Sequence, residues 1–285
     1  MPECRPSPKP AFVQAFRNLT GLPSYHYDAV FGRIVYEQFA STRPGVVALE
    51  LPASFRPALE WAVSCWPTPV AAFERGRGST MGIVVPLVPG DSMVEAFRLA
   101  SQTGIEVALI DVDVSVPGEQ RSEPTLAVGP EFAARPGDGF FTAVNALNNR
   151  EEPLASDLAR EAAMASALAA LMARHESVWW VGGFAHWSRI VARLRSRDFS
   201  TPDTRPALRR RFTRARLGPS ALMRLTGSYP AMVRAFGQAP AEFEPFDAMR
   251  TLLHEAAKPA PDHQDLSHAL DERGAPPSEP AAAID

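Results

Sequence analysis

Residues 149–194 constrain the fold more than any other part of the chain. They predict a helix, a short buried strand, a glycine turn and a second helix in direct succession. The first helix is expected over residues 153–174, with Asn149 or Ser156 as its N-cap. Because strands that alternate with helices form mainly parallel sheets, this stretch favours an α/β fold.

The helix predicted over residues 153–174 carries a carboxylate on its apolar face. That face consists of side chains spaced by four and three residues: Leu154, Leu158, Glu161, Ala165, Leu168 and Met172. A carboxylate in such a position is costly unless it is paired, bound to a metal or protonated. We therefore expect Glu161 to have a specific partner, and Arg160 lies beside it in the sequence.

The strand predicted at residues 178–181 leads through two glycines to His186. A strand followed by a glycine-rich turn and a helix places His186 beyond the carboxyl end of the strand. Open α/β sheets bind their ligands at that edge. The alternative is that His186 is a hydrogen-bonded histidine packed under the turn.

Two other apolar runs end in a carboxylate. Residues 46–50 are typical of a buried parallel strand with Glu50 at its carboxyl end, and residues 107–111 of another with Asp111 at its tip. In a parallel sheet these ends lie along one edge. Exposure to solvent is the alternative for each carboxylate.

The beginning of the chain places a second histidine near the same edge. A strand is predicted over residues 11–20, broken by residues 21–23, and His26 follows. Asp28 is the expected N-cap of a helix whose apolar face includes Phe39. A packed aromatic cluster at the helix entry is the alternative for His26.

These patterns predict a mainly parallel sheet flanked by helices, followed by a helical extension and a disordered tail. Further predicted elements are a strand at 83–86, helices at 55–65 and 92–103, and short helices around Leu222, Val233 and Phe246. The expected organisation is a flexible N-terminus (1–10), an α/β core (11–196), a helical extension or lid (197–257) and a disordered tail (258–285).

Composition narrows the class of protein. Hydrophobic residues make up 46% of the 285, enough for a substantial core, and the net charge of −3 gives no general attraction to nucleic acid. Cys4 and Cys65 form no disulfide framework, which suits a reducing compartment. No apolar run reaches bilayer length, so we expect a cytoplasmic protein without a nucleic-acid or membrane partner.

Two polar stretches are candidate interaction surfaces. Residues 117–139 are rich in proline and glycine and predict a long loop, which with the tail offers a surface for protein partners. The arginines between Arg205 and Arg216 are expected to form the solvated face of a helix. A patch that binds phosphate or an acidic substrate is the minority interpretation of this basic run.

The late motifs resemble those of the TraB/TIKI and erythromycin-esterase-like superfamily, and most of all an uncharacterised bacterial branch of it. The resemblance rests on Arg160-Glu161-x-x-Met164-Ala165, followed by a strand and a GxxH from Gly183 to His186. In the early half, His26, RPGVVALELP at 43–52 and GIEVALIDVD at 104–113 occur in the family's order. The resemblance covers roughly residues 12–195, although no single motif is specific alone.

The chain departs from the family pattern at two positions. The first family motif is usually GxxH, whereas here Gly21 lies five residues before His26 and Pro23 intervenes. An aspartate of the second motif is replaced by Glu161, which keeps the charge on a longer side chain. The first departure concerns the geometry at His26, and with it the metal site.

The resemblance implies hydrolysis of a peptide or ester bond, since the superfamily includes metal-dependent peptidases, esterases that open macrolactones and a haem-binding lipoprotein. The residues that carry this prediction form two groups: His26, Glu50 and His186 as ligands of a divalent metal (Mn, Co or Zn) or neighbours of a reacting water, and Glu161, Arg160 and Asp111 as catalytic partners. Hydrolysis without a metal is left open, as is a non-catalytic module that binds haem, another small ligand or a protein partner. Nucleic-acid binding through the arginine run ranks last.

Overall fold

The computed structural model describes residues 12–74, 83–112, 141–143, 145–146, 153–200 and 212–256. The strands are β1 (Gln14–Phe16), β2 (Leu19–Ser24), β3 (Val46–Pro52), β4 (Val70–Glu74), β5 (Ile83–Leu87), β6 (Glu106–Asp111), β7 (Val178–Gly183) and β8 (Thr213–Arg216). The helices are α1 (Ala29–Ser41), α2 (Arg56–Ser64), α3 (Ser92–Thr103), α4 (Ala155–Arg174), α5 (Trp187–Ser196), α6 (Pro219–Thr226), α7 (Pro230–Gln238) and α8 (Pro245–Ala256). Two 3₁₀ helices, Ala53–Phe55 and Phe184–His186, follow β3 and β7.

The larger sheet confirms the predicted α/β class. Its strand order is β1-β2-β7-β3-β6, in which β2, β7, β3 and β6 are parallel and only β1 is antiparallel. The predicted strands ending in Glu50, in Asp111 and before His186 are therefore neighbours. Parallel pairing brings their carboxyl ends to one edge of the sheet, as predicted.

The two faces of the sheet are covered by different helices. Trp179 of β7 packs edge-on against Phe39 of α1, and α3 packs against α1 and the same sheet face. The next residue, Trp180, points the opposite way and stacks on Trp187 of α5, at 5.4 Å between ring centroids. Since α4 packs against α5, these two helices cover the second face.

The prediction that residues 21–23 break the first strand is wrong, since β2 continues to Ser24. β1 pairs with β2 only as far as Gly21, and beyond it Pro23 pairs with Gly182 of β7 on one side. A proline is tolerated there because its other side is an edge of the described sheet. Gly21 is required because a Cβ at this position would overlap the Trp187 ring.

A second sheet contains one strand that the sequence predicted and two that it did not. Its antiparallel order is β5-β4-β8. β5 is the predicted strand at 83–86, which lies outside the parallel sheet, and β4 was not predicted. The helical interpretation of the arginine run is wrong for Thr213–Arg216, which form β8. Ala215 is buried while Arg214 and Arg216 are exposed, the alternation of a strand with one solvated face.

The helix ends agree with the predictions except at α4. The Asp28 side chain accepts from Val30 N at 3.0 Å and caps α1, and Gly104 ends α3 in the left-handed region (φ 71°). α4 begins after Leu154 without a side-chain cap; Ser156 lies inside the helix and Asn149 outside the described residues. The acidic first-turn residue Asp157 suits the positive end of the helix dipole.

The C-terminal helices pack onto the rest of the chain. α7 contacts α1, and Phe236 of α7 is buried against Ala29 and Phe243. Since β8 pairs with β4, residues 212–256 contribute both a strand and helices to the same body as the earlier elements. The N-terminus 1–10, the loop 117–139 and the tail 258–285 lie outside the described residues. No helix in the described ranges is long and apolar enough to cross a membrane.

Candidate functional site

The carboxyl ends of β7, β3 and β6 bring together the six residues predicted to form a site. Five of them are joined by direct polar contacts in a largely buried network, which consists of Glu50, Asp111, Arg160, Glu161 and His186. His26 lies at the solvent-exposed side of the same group.

Glu161 and His186 form the most buried pair of this network. His186 Nδ1 lies 2.7 Å from Glu161 Oε1, and both side chains are almost fully inaccessible to solvent. The Arg189 guanidinium holds the same carboxylate through both of its oxygens, at 2.8 and 2.9 Å from Nε. The carboxylate on the apolar face of α4 thus has the specific partner that the sequence requires.

The contact with Glu161 determines which His186 nitrogen is available for chemistry. A carboxylate accepts hydrogen bonds, so Nδ1 is the nitrogen that donates to Glu161, and Nε2 is the nitrogen that faces the rest of the site. Nε2 lies 3.3 Å from Glu50 Oε1. Carboxylates therefore flank His186 on both sides, one of which fixes the orientation of the ring.

Glu50 is held in its ionised form by several donors and charges. Gly183 N donates to Oε2 at 2.6 Å, and Arg160 Nη2 donates to Oε1 at 2.8 Å. Burial by itself would raise the pKa of Glu50, but His186, Arg160, His26 and the Gly183 N–H outweigh this and lower the pKa below its usual value. Glu50 is therefore an ionised carboxylate at neutral pH.

Arg160 links Glu50 to Asp111 across neighbouring strand ends. Its Nη2 lies 2.7 Å from Asp111 Oδ2, and its Nη1 lies 3.8 Å from Asp157 Oδ1. Burial disfavours the guanidinium cation, but Glu50 and Asp111 outweigh this and raise the pKa of Arg160, which stays charged. Burial also raises the pKa of the Asp111 carboxyl, which Arg160 opposes.

Gly183 leaves the space around which the two histidines and Glu50 gather. A Cβ at this position would lie 3.1 Å from His26 Nε2, 3.5 Å from Glu50 Oε2 and 3.6 Å from His186 Cδ2. His26 thus approaches the site despite its departure from GxxH spacing, because β2 continues through Pro23 beside β7 and delivers the following turn to the same edge.

Gly182 is required for a different reason. A Cβ there would lie 2.5 Å from Glu50 Oε2, 2.6 Å from Trp180 Cζ2 and 2.7 Å from Glu50 Cβ. These atoms belong to side chains that are buried on the same face of the sheet. The two glycines therefore leave space for different side chains: Gly182 for Glu50 and Gly183 for His26.

The three residues predicted to hold a divalent metal are close together, but Glu50 and His186 already make polar contacts. In the part of the chain that the structure describes, no three His, Cys, Asp or Glu side chains are arranged as a metal site. Both Glu50 oxygens accept hydrogen bonds, one of them from Arg160. His186 fits a metal better, because its contact with Glu161 leaves Nε2 as the ligating atom. A metal would have to displace Arg160 from Glu50, so the set fits only in part.

Two contributors to the site were not predicted from the sequence. Arg189 lies three residues after His186 on α5, and the signal for it was the carboxylate on the apolar face of α4, which requires a cation from a neighbouring helix. The Gly183 N–H that binds Glu50 belongs to the backbone, and no residue type in the sequence indicates such a contact.

Comparisons of the chain with protein-family models, curated proteins and solved structures find no match.

Proposed function

We propose that this chain is a hydrolase of peptide or small-molecule ester bonds in which His186 is the general base. One observation carries the proposal: His186 Nδ1 is fixed at 2.7 Å from a fully buried carboxylate, while Nε2 faces the group formed by Glu50 and His26. A histidine oriented by a buried carboxylate through one nitrogen is the arrangement that general-base catalysis uses.

In the proposed reaction, a water hydrogen-bonded to His186 Nε2 beside Glu50 attacks the carbonyl carbon of the substrate. Nε2 takes one proton as the new carbon–oxygen bond forms, and Glu161 stabilises the resulting imidazolium. The bond to the leaving group then breaks, and the leaving group takes a proton from His26. Exchange with solvent returns a proton to His26 and removes the one that His186 took up. The products are a carboxylic acid and an alcohol or amine, so water supplies every atom that is added.

The other residues act on charge and on the leaving group. The Arg160 side chain is 24% exposed, and in the proposed reaction its guanidinium stabilises the oxyanion of the tetrahedral intermediate. His26 lies at the exposed side of Gly183, where it donates the proton to the leaving group. Asp111 keeps Arg160 in place through contacts at 2.7 to 3.1 Å. We expect the enzyme to act in the cytoplasm.

A metal-dependent form of the same hydrolase is the second candidate, favoured by the orientation of His186, whose Nε2 faces Glu50 and His26. A bound Mn, Co or Zn ion would supply a water of lowered pKa and polarise the carbonyl. His26, Glu50 and His186 would hold it, and Arg160 would turn from Glu50 to Asp111 alone.

The test combines elemental analysis with activity assays on the purified full-length chain. We expect no stoichiometric metal, and hydrolysis of p-nitrophenyl esters or of model peptides that survives chelators. His186→Gln should lower kcat by about 100-fold or more. The matched control is His175→Gln, because His175 ends α4 away from the site, beside Glu106 at 3.7 Å.

Each alternative gives a different result. Near-stoichiometric Mn, Co or Zn, lost together with activity on chelation, would replace the metal-free mechanism by the metal-dependent one. No hydrolysis with any ester or peptide, with or without added metal, would overturn the hydrolase proposal and favour a binding module.

A further inference from the structure

The turn that carries His26 has an unusual backbone that two distant side chains hold. Tyr27 has a positive φ of 64°, a conformation that residues other than glycine rarely adopt. The described residues provide no hydrogen bond to the His26 ring, which contacts the Tyr27 ring at 5.9 Å between centroids. The position of His26 therefore depends on the backbone of the turn.

Asp91 holds the amide side of Tyr27. Its carboxylate is buried and uses its two oxygens for different tasks: Oδ1 accepts from Met93 N at 2.9 Å and Val94 N at 3.1 Å, and Oδ2 accepts from Tyr27 N at 3.0 Å. The first task caps α3. The second has no role in helix capping, and it ties the His26 turn to the start of α3.

Ser228 holds the carbonyl side of the same residue. Its hydroxyl donates to Tyr27 O at 2.6 Å. Ser228 is itself fixed by the end of α6, where its N–H donates to Thr226 Oγ1 at 3.0 Å and Gly227 adopts a left-handed conformation (φ 68°). Both backbone polar groups of Tyr27, its N–H and its C=O, are thus engaged by elements remote in sequence.

We infer that Asp91 and Ser228 are positioning residues that hold His26 against Gly183 and Glu50. This inference rests on the proposed function for its catalytic meaning, but the placement of His26 can be measured without it. The left-handed Tyr27 is retained because Asp91 and Ser228 stabilise it from both sides, and that turn aims the preceding side chain at the site. The segment between α6 and α7 is thereby part of the catalytic apparatus, although no sequence motif connects it to the histidines.

The first test measures the placement of His26 by NMR. In the full chain with labelled histidine, His26 ring signals are assigned with His26→Gln. Their change on Glu50→Gln is then compared between the Ser228 and Ser228→Ala backgrounds. We expect a clear response to Glu50→Gln when Ser228 is present and a response reduced by at least half in Ser228→Ala. An equal response in both backgrounds would overturn the inference, whether or not the protein hydrolyses anything.

The second test asks whether Ser228 acts through His26. With p-nitrophenyl acetate as the probe, Ser228→Ala should lower kcat roughly tenfold, and in a His26→Ala background it should cause no further loss. Ser228→Thr, which keeps the hydroxyl, should restore the rate. Additive losses would overturn the positioning role and indicate a general effect on folding.

Asp91→Asn and Ser64→Ala complete the set. Asp91→Asn keeps an oxygen for the α3 cap but presents an NH₂ group to Tyr27 N, so it should resemble Ser228→Ala in both tests. Ser64 donates to Trp61 O at 2.7 Å on the surface of α2, so Ser64→Ala removes the same kind of bond elsewhere and should leave both readouts unchanged. If no substrate is hydrolysed, the proposed function fails while the NMR comparison still decides the inference.

Discussion

At the scale of single residues, Glu161 and Glu95 are two fully inaccessible carboxylates of the described chain that differ in what they touch. Each is held by an arginine, Arg189 in one case and Arg98 in the other. Only Glu161 also contacts a histidine. A comparison of variants at Glu161 and Glu95 therefore separates the effect of a buried charge on stability from its effect in orienting the general base His186.

Glu161→Gln should reduce both stability and activity. It leaves Arg189 without its counterion and removes the acceptor that fixes His186, so we expect a loss of about 3 kcal/mol in the free energy of unfolding and a fall in kcat of about 100-fold or more. Glu95→Gln should cost a comparable amount of stability while kcat stays within about twofold of the wild-type value. Denaturant unfolding and ester-hydrolysis assays on both variants check this. Equal losses of activity would mean that Glu161 matters only for folding.

The two adjacent glycines at the end of β7 should respond differently to alanine. Gly183 has a φ of −65°, which alanine adopts freely, and its Cβ would meet the exposed, movable His26. Gly183→Ala should therefore change stability by less than about 1 kcal/mol and lower kcat by displacing His26. Gly182→Ala places its Cβ against Glu50 and Trp180, which are buried, and should cost about 2–3 kcal/mol.

Melting temperatures and kcat measured on both alanine variants separate these effects. A stable and fully active Gly183→Ala protein would show that His26 does not need its position beside Gly183.

At the scale of elements, the start of α1 connects the His26 turn to pH. Burial raises the pKa of the Asp28 carboxyl from 3.8 to about 6, although its hydrogen bond from Val30 N lowers the pKa in part. The folded chain then binds this proton more tightly than the unfolded chain does. The contribution of Asp28 to stability is complete below about pH 4 and is lost as the pH rises through about 6.

Asp28→Asn should remove this loss. Asparagine caps helices as well as aspartate but cannot ionise. The difference in the free energy of unfolding between the variant and wild type should increase by about 1–2 kcal/mol in favour of the variant as the pH rises from about 4 to about 7. This figure allows for partial solvent screening of Asp28. Urea unfolding at several pH values measures this. A difference between the two proteins that does not change with pH would contradict the assignment to Asp28.

At the scale of the whole molecule, the parallel sheet and its site edge could be predicted, whereas the second sheet could not. The strands β3 and β7 are buried apolar runs and β6 is a partly buried one, and the residues at their ends follow from parallel pairing. β8 is four residues long and contains two exposed arginines. Ala215 within it and Leu217 directly after it are too few buried residues to identify a strand from alternation. Its pairing with β4 depends on a contact between segments far apart in the chain.

The same contrast applies to the site. Glu50, Asp111 and His186 were predictable because each follows from one local pattern. The support for His26 was not, because it comes from Asp91 and Ser228. These residues lie at the start of α3 and just after α6, and no local pattern links either of them to the His26 turn. Arg189 falls between these cases, since an apolar helix face containing Glu161 required a cation without specifying which one.

The unequal burial of β7, α7 and α8 predicts a gradient of local stability. All six residues of β7 are buried between β2 and β3, whereas α8 packs mainly on α7 and leaves Phe246 and Leu253 more than half exposed. Backbone amides of β7 should exchange with solvent only through global unfolding, while those of α8 should exchange at least about 100-fold faster through local opening. Because Phe236 anchors α7 in a buried contact with Ala29, α7 should lie between them. Hydrogen exchange followed by mass spectrometry resolves all three segments. Protection of α8 equal to that of β7 would contradict this gradient and would mean that the exposed apolar face of α8 is covered in solution. Protection of α7 above that of α8 would support the view that Ser228 is held by a stable part of the fold.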